Sequence, residues 1–319
     1  MQRRRFLATS VSAALLLTGC GRWLRDDAGP DTAAPPEDPR PTPEPPEAPE
    51  APSVVGEEPT GEQPDDGVAE DPELETEAPE PEPPEPGTPE VDPALYDAIP
   101  TEWGEAVTGV GRRLAGTSAI ALTFDACGGP NGSGYDAALI GHLRHLDVPA
   151  TLFVNERWLD ANPAVFAELA DDPLFEIANH GTRHRPLSVD GRSAYGITGT
   201  GSVDEVIDEV MGCQRRLTEL TGTAPRFFGS GTAYYDDVAV RVVHELGLEV
   251  AGYSVLGDAG ATFSAAQVRD ALLGAGPGDI ALLHMNHPAS GTAEGVAAAL
   301  PTLLDRGATF TTLGDHELA

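Results

Sequence analysis

Apolar runs alternate with helical patterns along the last two-thirds of the chain. Short runs rich in apolar and β-branched residues predict seven strands, at 119–124, 148–154, 175–179, 225–228, 248–254, 279–283 and 307–312. Apolar residues at helical spacing predict six helices between them, at 135–146, 162–170, 202–221, 235–246, 264–274 and 292–305. This alternation predicts parallel strands and an α/β fold. Seven or eight units favour a (β/α) barrel, and an open doubly wound sheet is the alternative.

The predicted helix 202–221 shows the pattern in detail. Ser202 with Glu205 three residues later predicts a capping box at its start. Apolar residues then repeat at helical spacing, and Cys213 falls on that stripe. We therefore expect Cys213 to pack in the core.

Acidic and histidine residues follow several of the predicted strands. Asp125 follows the first strand, His180 and His184 follow the third, Asp258 follows the fifth, and His284 follows the sixth. Parallel strands of a barrel bring their carboxyl ends to one rim, where active sites lie. One histidine at a strand end is commonly structural, but this combination at one rim predicts a functional site.

The first twenty residues have the pattern of an export signal. A basic head precedes an apolar run that ends in Leu17-Thr18-Gly19-Cys20, and the run is too short for a membrane-spanning helix. The arginine pair resembles a twin-arginine signal, with the Sec route as the alternative. The last four residues resemble a bacterial lipobox, in which Cys20 is lipidated, although an ordinary signal with a chance cysteine would look similar. Lipidation would anchor the protein at a bacterial membrane, facing the cell envelope.

Residues 21–100 are rich in proline, glutamate and aspartate and poor in apolar side chains. Such a composition cannot bury a core, so we expect a disordered linker. In polyproline II conformation, at about 3.1 Å per residue, the linker would reach on the order of 200 Å. We expect the folded domain at 101–319, which is long enough for a single core.

Charge and composition exclude several classes of function. The formal net charge is −33, and the acidic excess continues into 101–319, which argues against nucleic acid as a partner. The sequence contains no lysine, which excludes a lysine Schiff base or a lysine general base. Besides Cys20 the chain has only Cys127 and Cys213, too few for a disulfide framework.

The residues at the strand ends resemble motifs of the polysaccharide deacetylases, the NodB-like group called carbohydrate esterase family four, over about 119–312. The family's first motif is Thr-Phe-Asp-Asp-Gly, and its second is His-(Ser/Thr)-x-x-His with an Asn commonly before it. The matching segments are Thr123-Phe124-Asp125, Asn179-His180 with His184, and, for the fifth motif, Leu282-Leu283-His284. The resemblance implies a distorted (β/α) barrel.

The chain departs from the family pattern at four places. Ala126 stands where the family has its metal-binding Asp, and Gly181 stands where the second motif has Ser or Thr. Gly229 stands where the third motif has the Arg that orients the base. The fourth motif, an Asp and Trp pair, is matched only loosely by the segment 253–258.

The resemblance implies a metal-dependent hydrolase that removes N-acetyl groups. It implies a divalent metal ion, with zinc expected, held by His180 and His184, while Asp125 acts as general base and His284 as general acid. Because Ala126 cannot bind metal, we expect Asp125 to be a ligand as well. Cys127 and Asp258 are alternative ligands, and Cys127 is otherwise a small residue in a tight loop. Restoring an acid at position 126 should tighten metal binding if the loop keeps the family's geometry.

Three functions are compatible with these residues. The first is an envelope-anchored, metal-dependent deacetylase of an amino-sugar polymer such as peptidoglycan. It would act as a monomer on a carbohydrate polymer, attached to the membrane through its lipid anchor. The second is a hydrolase of another amide or ester, and the third is a glycan-binding protein that has lost turnover. Metal analysis would separate the third from the other two.

Overall fold

The structure is a computed structural model that describes residues 89–319. The expected export signal, the lipidation at Cys20 and the linker up to residue 88 lie outside the described residues. Within 89–319, no helix has both the length and the apolar character needed to cross a membrane.

Thirteen strands, several of only two residues, are found in the described part of the chain. They are β1 (Trp103–Gly104), β2 (Val110–Gly111), β3 (Ile120–Ala126), β4 (Ala150–Val154), β5 (Phe175–Asn179), β6 (Ser193–Ala194), β7 (Ile197–Thr198), β8 (Phe227–Phe228), β9 (Tyr235–Asp236), β10 (Glu249–Ala251), β11 (Val255–Leu256), β12 (Ile280–His284) and β13 (Phe310–Thr311).

Seven α-helices separate these strands in the same region. They are α1 (Ala137–Leu146), α2 (Glu156–Ala161), α3 (Pro163–Ala170), α4 (Val203–Thr221), α5 (Asp237–Glu245), α6 (Ala265–Leu273) and α7 (Thr292–Asp305). All six helices expected from the sequence are present to within two residues at each end, and all seven expected strands to within three. The sequence patterns did not predict α2, which follows β4 directly.

The main sheet is parallel and curls into a distorted (β/α) barrel. Its strand order is β11-β12-β3-β4-β5-β8-β10-β2, and β13 pairs with the start of β3. Strands β10 and β11 stand near opposite ends of this order, yet only residues 252–254 connect them. Three residues span little more than 10 Å, so the two ends of the sheet must lie close together. The barrel prediction is therefore confirmed over the open doubly wound alternative.

Side-chain alternation along β3 separates two layers of core. Leu122, Phe124 and Ala126 belong to the large cluster that packs under α1 and α7. Ala121 belongs to a smaller cluster inside the curled sheet, together with Phe153 and other residues of the neighbouring strands. Because side chains alternate between the two faces of a strand, Asp125 shares the interior face with Ala121.

Helix α4 starts as expected but is capped differently at its first turn. The Ser202 hydroxyl accepts a hydrogen bond from the Glu205 N–H. The Glu205 carboxylate, however, accepts from the Gly201 N–H at 3.1 Å and from Arg185 at 2.7 Å rather than completing the box. Cys213 is fully buried in the core, as predicted.

The folded unit extends further toward the N-terminus than the sequence pattern suggested. Val91 and Leu95, both within the expected linker, are buried in a cluster with residues of α4 and α5. A short 3-10 helix over Pro93–Leu95 presents Leu95 to that cluster. Apolar residues are sparse in the acidic tract, so its composition did not indicate that Val91 and Leu95 would pack against the domain.

Candidate active site

Three of the five predicted strand-end residues line one cavity of about 720 Å³ at the carboxyl ends of the strands, while His180 and Asp258 are buried and do not line it. Asp125, His184 and His284 line it, and Cys127 and Arg157 lie beside them. A volume of this size suits a ligand of one or a few sugar rings. The sequence-based expectation that these residues meet at one rim agrees with this arrangement.

Asp125 lies between the two groups of histidines. It is opposite His284 in the parallel register of β3 and β12, and its Oδ2 lies 3.4 Å from His180 Nε2. Burial raises the pKa of Asp125 to about 7, although the positive charge of His284 partly offsets this effect. A carboxyl group with such a pKa can exchange a proton near neutral pH.

His180 is fully buried and held in one tautomer. Its Nδ1 lies 2.8 Å from the Gly229 carbonyl oxygen, so Nδ1–H donates there and Nε2 keeps its lone pair. Burial and the neighbouring His184 hold the pKa of His180 well below its usual value. The ring is therefore neutral and presents Nε2 to Asp125.

The turn that carries His184 explains the departure at Gly181. Gly181 has a φ of +79°, and a Cβ there would lie 2.5 Å from Glu209 Oε1. The buried Glu209 carboxylate accepts hydrogen bonds from the backbone N–H groups of Arg183 and Arg185, which flank His184. A serine or threonine at 181 would disturb this contact. Glu209 thus performs a positioning role that the sequence pattern did not reveal.

His184 lies 5.0 Å from His180 between ring centroids. Burial lowers the pKa of His184 to about 3, so its ring is neutral. Its Nε2 is buried and has no hydrogen-bond partner among residues 89–319. A buried nitrogen with a lone pair and no partner is costly, which points to a ligand at this position.

The thiol of Cys127 lies close to the imidazoles of His180 and His184. Its Sγ lies 3.8 Å from His180 Nε2, and one ligand atom each from Cys127, His180 and His184 lie within 4.8 Å of one another. Burial raises the pKa of the Cys127 thiol, against a lowering effect of the nearby His284. Asp125 is not part of this three-residue group, so its role as a metal ligand stays a prediction.

The donor set fits a divalent metal ion. His180 Nε2 faces a carboxylate oxygen and a sulfur, and the nearby His184 Nε2 has no partner among the described residues. Electron-rich atoms at such distances repel one another unless a cation or a proton lies among them. Imidazole nitrogen and thiolate sulfur are the donors that zinc prefers in proteins.

Ala126 does not point into this site. It is fully buried and belongs to the helix-facing core, on the opposite face of β3 from Asp125. The expectation that an acid at 126 would tighten metal binding is therefore not supported by the loop geometry. Because side chains alternate, Cys127 is the next residue able to share the face of Asp125.

His284 forms a buried pair with Asp258. His284 Nδ1 lies 2.9 Å from Asp258 Oδ1, and the His284 backbone N–H donates to Asp258 Oδ2 at 2.7 Å. Thr292 donates to the same Oδ2 at 2.9 Å. Burial opposes a charge on His284, but the hydrogen bond with Asp258 and the nearby Cys127 raise its pKa well above the usual value. Asp258 therefore serves His284, whereas the sequence left it as a possible metal ligand.

At Gly229, where the family has its orienting arginine, the neighbouring space is occupied by the ring of Phe153. A Cβ at Gly229 would lie 3.1 Å from the ring of Phe153, so a long side chain has no room there. A guanidinium does line the cavity, but it belongs to Arg157 of α2 and donates to the Cys127 carbonyl at 3.2 Å. Arg157 comes soon after the end of β4, so the rule that functional residues gather at strand ends could have found it in the sequence.

Aromatic and apolar side chains form one wall of the cavity. Tyr195, in the β6–β7 hairpin, is 74% exposed, and its hydroxyl lies 3.2 Å from Glu105. Tyr253 donates to the same carboxylate at 2.6 Å. Tyr195 also packs edge-on against Tyr234, with 5.4 Å between ring centroids. Exposed, fixed tyrosine rings suit the apolar faces of sugars.

Residues 113–251 match the family model of polysaccharide deacetylases. No curated protein matches the chain significantly. Among solved structures, the chain is similar to a peptidoglycan N-acetylglucosamine deacetylase, with 22% identity over 65% of this chain and 92% of the other and a TM-score of 0.55. It is similar to a family 4 acetyl xylan esterase from Clostridium thermocellum in complex with cobalt, with 25% identity over 62% and 89% and a TM-score of 0.50.

The chain is also similar to a pseudoenzyme of the same esterase family from Bacillus anthracis. The identity is 22% over 63% of this chain and 66% of the other, with a TM-score of 0.53. A mutant of that pseudoenzyme has restored enzymatic activity. The fold is thus shared with active and inactive proteins alike, so activity must be argued from the site itself.

Proposed function

We propose that this chain is a metal-dependent hydrolase that removes N-acetyl groups from an amino-sugar polymer. The match of residues 113–251 to the family model of polysaccharide deacetylases supports the proposal. The observation that carries the proposal is the position of Asp125, in contact with His180 and opposite His284. A base and an acid thus stand beside a group of metal-binding donors.

Cys127, His180 and His184 are the residues that would hold the ion. The chemistry that a divalent ion supplies when bound is polarisation of the acyl carbonyl and activation of water. His180 is kept in the ligand tautomer by the Gly229 carbonyl, and Glu209 fixes the turn that carries His184.

Asp125 takes the proton of the attacking water. Burial raises the pKa of this carboxyl and so makes the carboxylate more basic, while a cation bound beside it would favour the ionised form. His284 gives a proton to the departing amine, which leaves poorly as an anion. Its pairing with Asp258 keeps it protonated and aims its other nitrogen into the cavity.

Backbone N–H groups of the loop after β8 are candidates to stabilise the developing oxyanion. The Ser230 N–H is not available, since it donates to the Tyr235 hydroxyl at 2.7 Å. Gly231 and Thr232 line the cavity and are the remaining residues of that loop for this role.

We propose peptidoglycan as the polymer and the cell envelope as the location. The support is the lipobox-like Cys20, the long acidic linker, and the similarity to a protein that deacetylates peptidoglycan N-acetylglucosamine. A tethered domain on an extended linker would reach a polymer fixed some distance from the membrane.

The test is acetate release by the purified protein from peptidoglycan and from N-acetylglucosamine oligomers. Release that requires a divalent ion and disappears in His284→Ala, with metal content intact, would support the proposal. Metal-loaded protein that releases no acetate from either substrate would contradict it.

A second function, glycan binding without turnover, is favoured by one specific observation. The family's metal-binding Asp is absent, and Ala126 lies in the core where an acid could not replace it. Binding of the same oligomers by a protein without bound metal or acetate release would select this alternative.

A further inference from the structure

The loop after β3 turns sharply at Cys127. Gly128 has a φ of +69°, and a Cβ there would collide with the backbone nitrogen of Trp158. The Gly128 N–H donates to the Gly132 carbonyl at 2.9 Å, and Arg157 donates to the Cys127 carbonyl at 3.2 Å. The turn at Gly128 and the hydrogen bond from Arg157 to the Cys127 carbonyl together fix the backbone of Cys127.

This backbone directs the thiol toward the two neutral imidazoles. Cys127 Sγ lies 3.8 Å from His180 Nε2, and all three donor atoms lie within 4.8 Å of one another. Two donors on one zinc ion, at about 2.1 Å for nitrogen and 2.3 Å for sulfur, lie roughly 3.5 Å apart in tetrahedral geometry. The cluster is thus slightly wider than a closed site, and small side-chain rotations bring its atoms to ligand distance.

His180 is held in a ligand tautomer by a contact on its far side, and His184 has an unpartnered nitrogen. The Gly229 carbonyl holds the proton of His180 on Nδ1, which leaves Nε2 for a ligand bond. Nε2 of His184 is buried and lacks a partner among the described residues. These two observations are independent of the cysteine.

We propose that Cys127 is the third protein ligand of a divalent metal ion, with His180 and His184, in place of the carboxylate that the family supplies from the position of Ala126. This inference rests on the proposed metal-dependent function and specifies its metal site. On binding, the thiol S–H bond breaks, the proton passes to solvent, and the sulfur forms the bond to the ion, so no redox change occurs.

A thiolate ligand has two consequences for the site. Thiolate favours soft and borderline ions, so the site should prefer zinc over magnesium or manganese. Three protein ligands leave a position for water, and Asp125 is then free to act as base rather than as ligand.

The experiment uses cobalt(II) as the probe, because a cobalt–thiolate bond gives an intense charge-transfer absorption in the near ultraviolet. The full chain carries Cys20→Ser, so that Cys127 and Cys213 are its only thiols. Cys127→Ser tests the proposed ligand. Cys213→Ser is the matched control, since Cys213 is buried in the core beside the Val154 carbonyl.

We expect one equivalent of cobalt with the charge-transfer band in the parent protein and in Cys213→Ser. Cys127→Ser should lose the band and bind cobalt at least tenfold more weakly. Cys127→Asp should bind the ion without the band, which shows that loss of the band is not loss of folding. Binding of one cobalt without the band in the parent would overturn the inference while leaving the proposed hydrolase intact.

Retention of the band in Cys127→Ser would overturn the inference as well. Failure of the parent to bind cobalt at all would overturn both this inference and the metal-dependent function. Acetate release is measured separately on the zinc-loaded parent, so that a failed metal site and a failed activity are distinguishable.

Discussion

His180, which is fully buried, and His284, whose side chain is 12% exposed, lie at one rim, yet their protonation is shifted in opposite directions. Burial holds the pKa of His180 well below its usual value, and the neighbouring His184 adds to the effect. The same burial acts on His284, but Asp258 at 2.9 Å outweighs it, and the pKa is well above the usual value. Nδ1 of His180 meets a neutral carbonyl instead.

One carboxylate therefore divides the rim into a neutral side and a charged side. The neutral side, His180 and His184, can offer lone pairs to a cation. The charged side, His284 with Asp258, can give up a proton. Asp125 Oδ2 lies 3.4 Å from His180 Nε2, and the residue stands opposite His284 in the register of β3 and β12, so the proposed reaction depends on this division being kept.

The largest effect is expected from Asp125→Asn. Removing a general base typically lowers turnover by about 10²–10⁴-fold. If Cys127 completes the metal site, the variant should still bind one metal ion, in contrast to the expectation from sequence that Asp125 is also a ligand. Metal analysis after dialysis, together with acetate release, checks both points.

A loss of metal in Asp125→Asn would show that Asp125 is a metal ligand together with His180 and His184, rather than a base that stands between the two groups. Burial raises the pKa of this carboxyl to about 7 in the metal-free protein, and a bound cation would lower it. Activity of the metal-loaded parent should therefore rise with pH and level off below that value, and activity that does not fall on acidification would contradict the role of Asp125 as base.

Asp258→Asn should convert His284 into a neutral imidazole like His180. Without the carboxylate, burial dominates, the pKa of His284 falls, and turnover drops by about 10²-fold at neutral pH. The loss of activity at high pH should move to lower pH in the variant. Thr292→Val, which removes only one hydrogen bond to Asp258, is the control and should keep most of the activity.

The same pair makes stability depend on pH. The pKa of His284 is higher in the folded protein than in the unfolded chain, so its stabilisation is complete below pH of about 6.5 and fades as pH rises through the folded value. Thermal midpoints should therefore fall less from pH 6 to pH 9 in Asp258→Asn than in the parent. An equal fall in both would show that the pair is not the source.

Ala126→Asp tests whether a carboxylate at position 126 can reach His180 and His184 and bind metal with them. The new side chain would enter the helix-facing core, where an unpaired acid costs several kcal/mol, so we expect a destabilisation of about 3 kcal/mol. Metal affinity should not increase. Denaturant unfolding and cobalt titration measure the two effects, and Ala126→Ser is the control for added volume and polarity. A tighter metal site would mean that the end of β3 can rearrange.

The positions of Asp125, His180 and His284 were predictable because they depend on strand periodicity and on the rule that parallel strands end at one rim. The direction of a side chain beyond the last strand residue was not. The family resemblance placed position 126 in the metal site, but β3 continues two residues beyond the predicted strand end and turns the Ala126 side chain to the core.

The roles of Asp258 and Glu209 could not be predicted from the sequence, because they depend on contacts with residues far along the chain. Asp258 meets His284 across 26 residues, and Glu209 holds the turn at His184 from the middle of α4. No local pattern encodes such pairs, since each requires the register of two elements that are far apart in the chain. Arg157 could have been found from the sequence, because it lies shortly after the end of β4, where functional residues gather. Finding it would have required the prediction of α2.

The smallest effect is expected from Tyr195→Ala, which touches neither side of the rim. Tyr195 is 74% exposed at the cavity wall, and an aromatic contact of this kind contributes about 0.5–1.5 kcal/mol, so KM for a soluble oligomer should rise about two- to tenfold. Tyr195→Phe keeps the ring and loses only the contact with Glu105, so it should resemble the parent. Turnover at saturation, metal content and the pH profile should be unchanged in both variants, because the pairing of His284 with Asp258 and the tautomer of His180 do not involve the hairpin. A fall in turnover with unchanged KM would show instead that the β6–β7 hairpin helps to hold the catalytic groups, and the division of the rim would then depend on a third element.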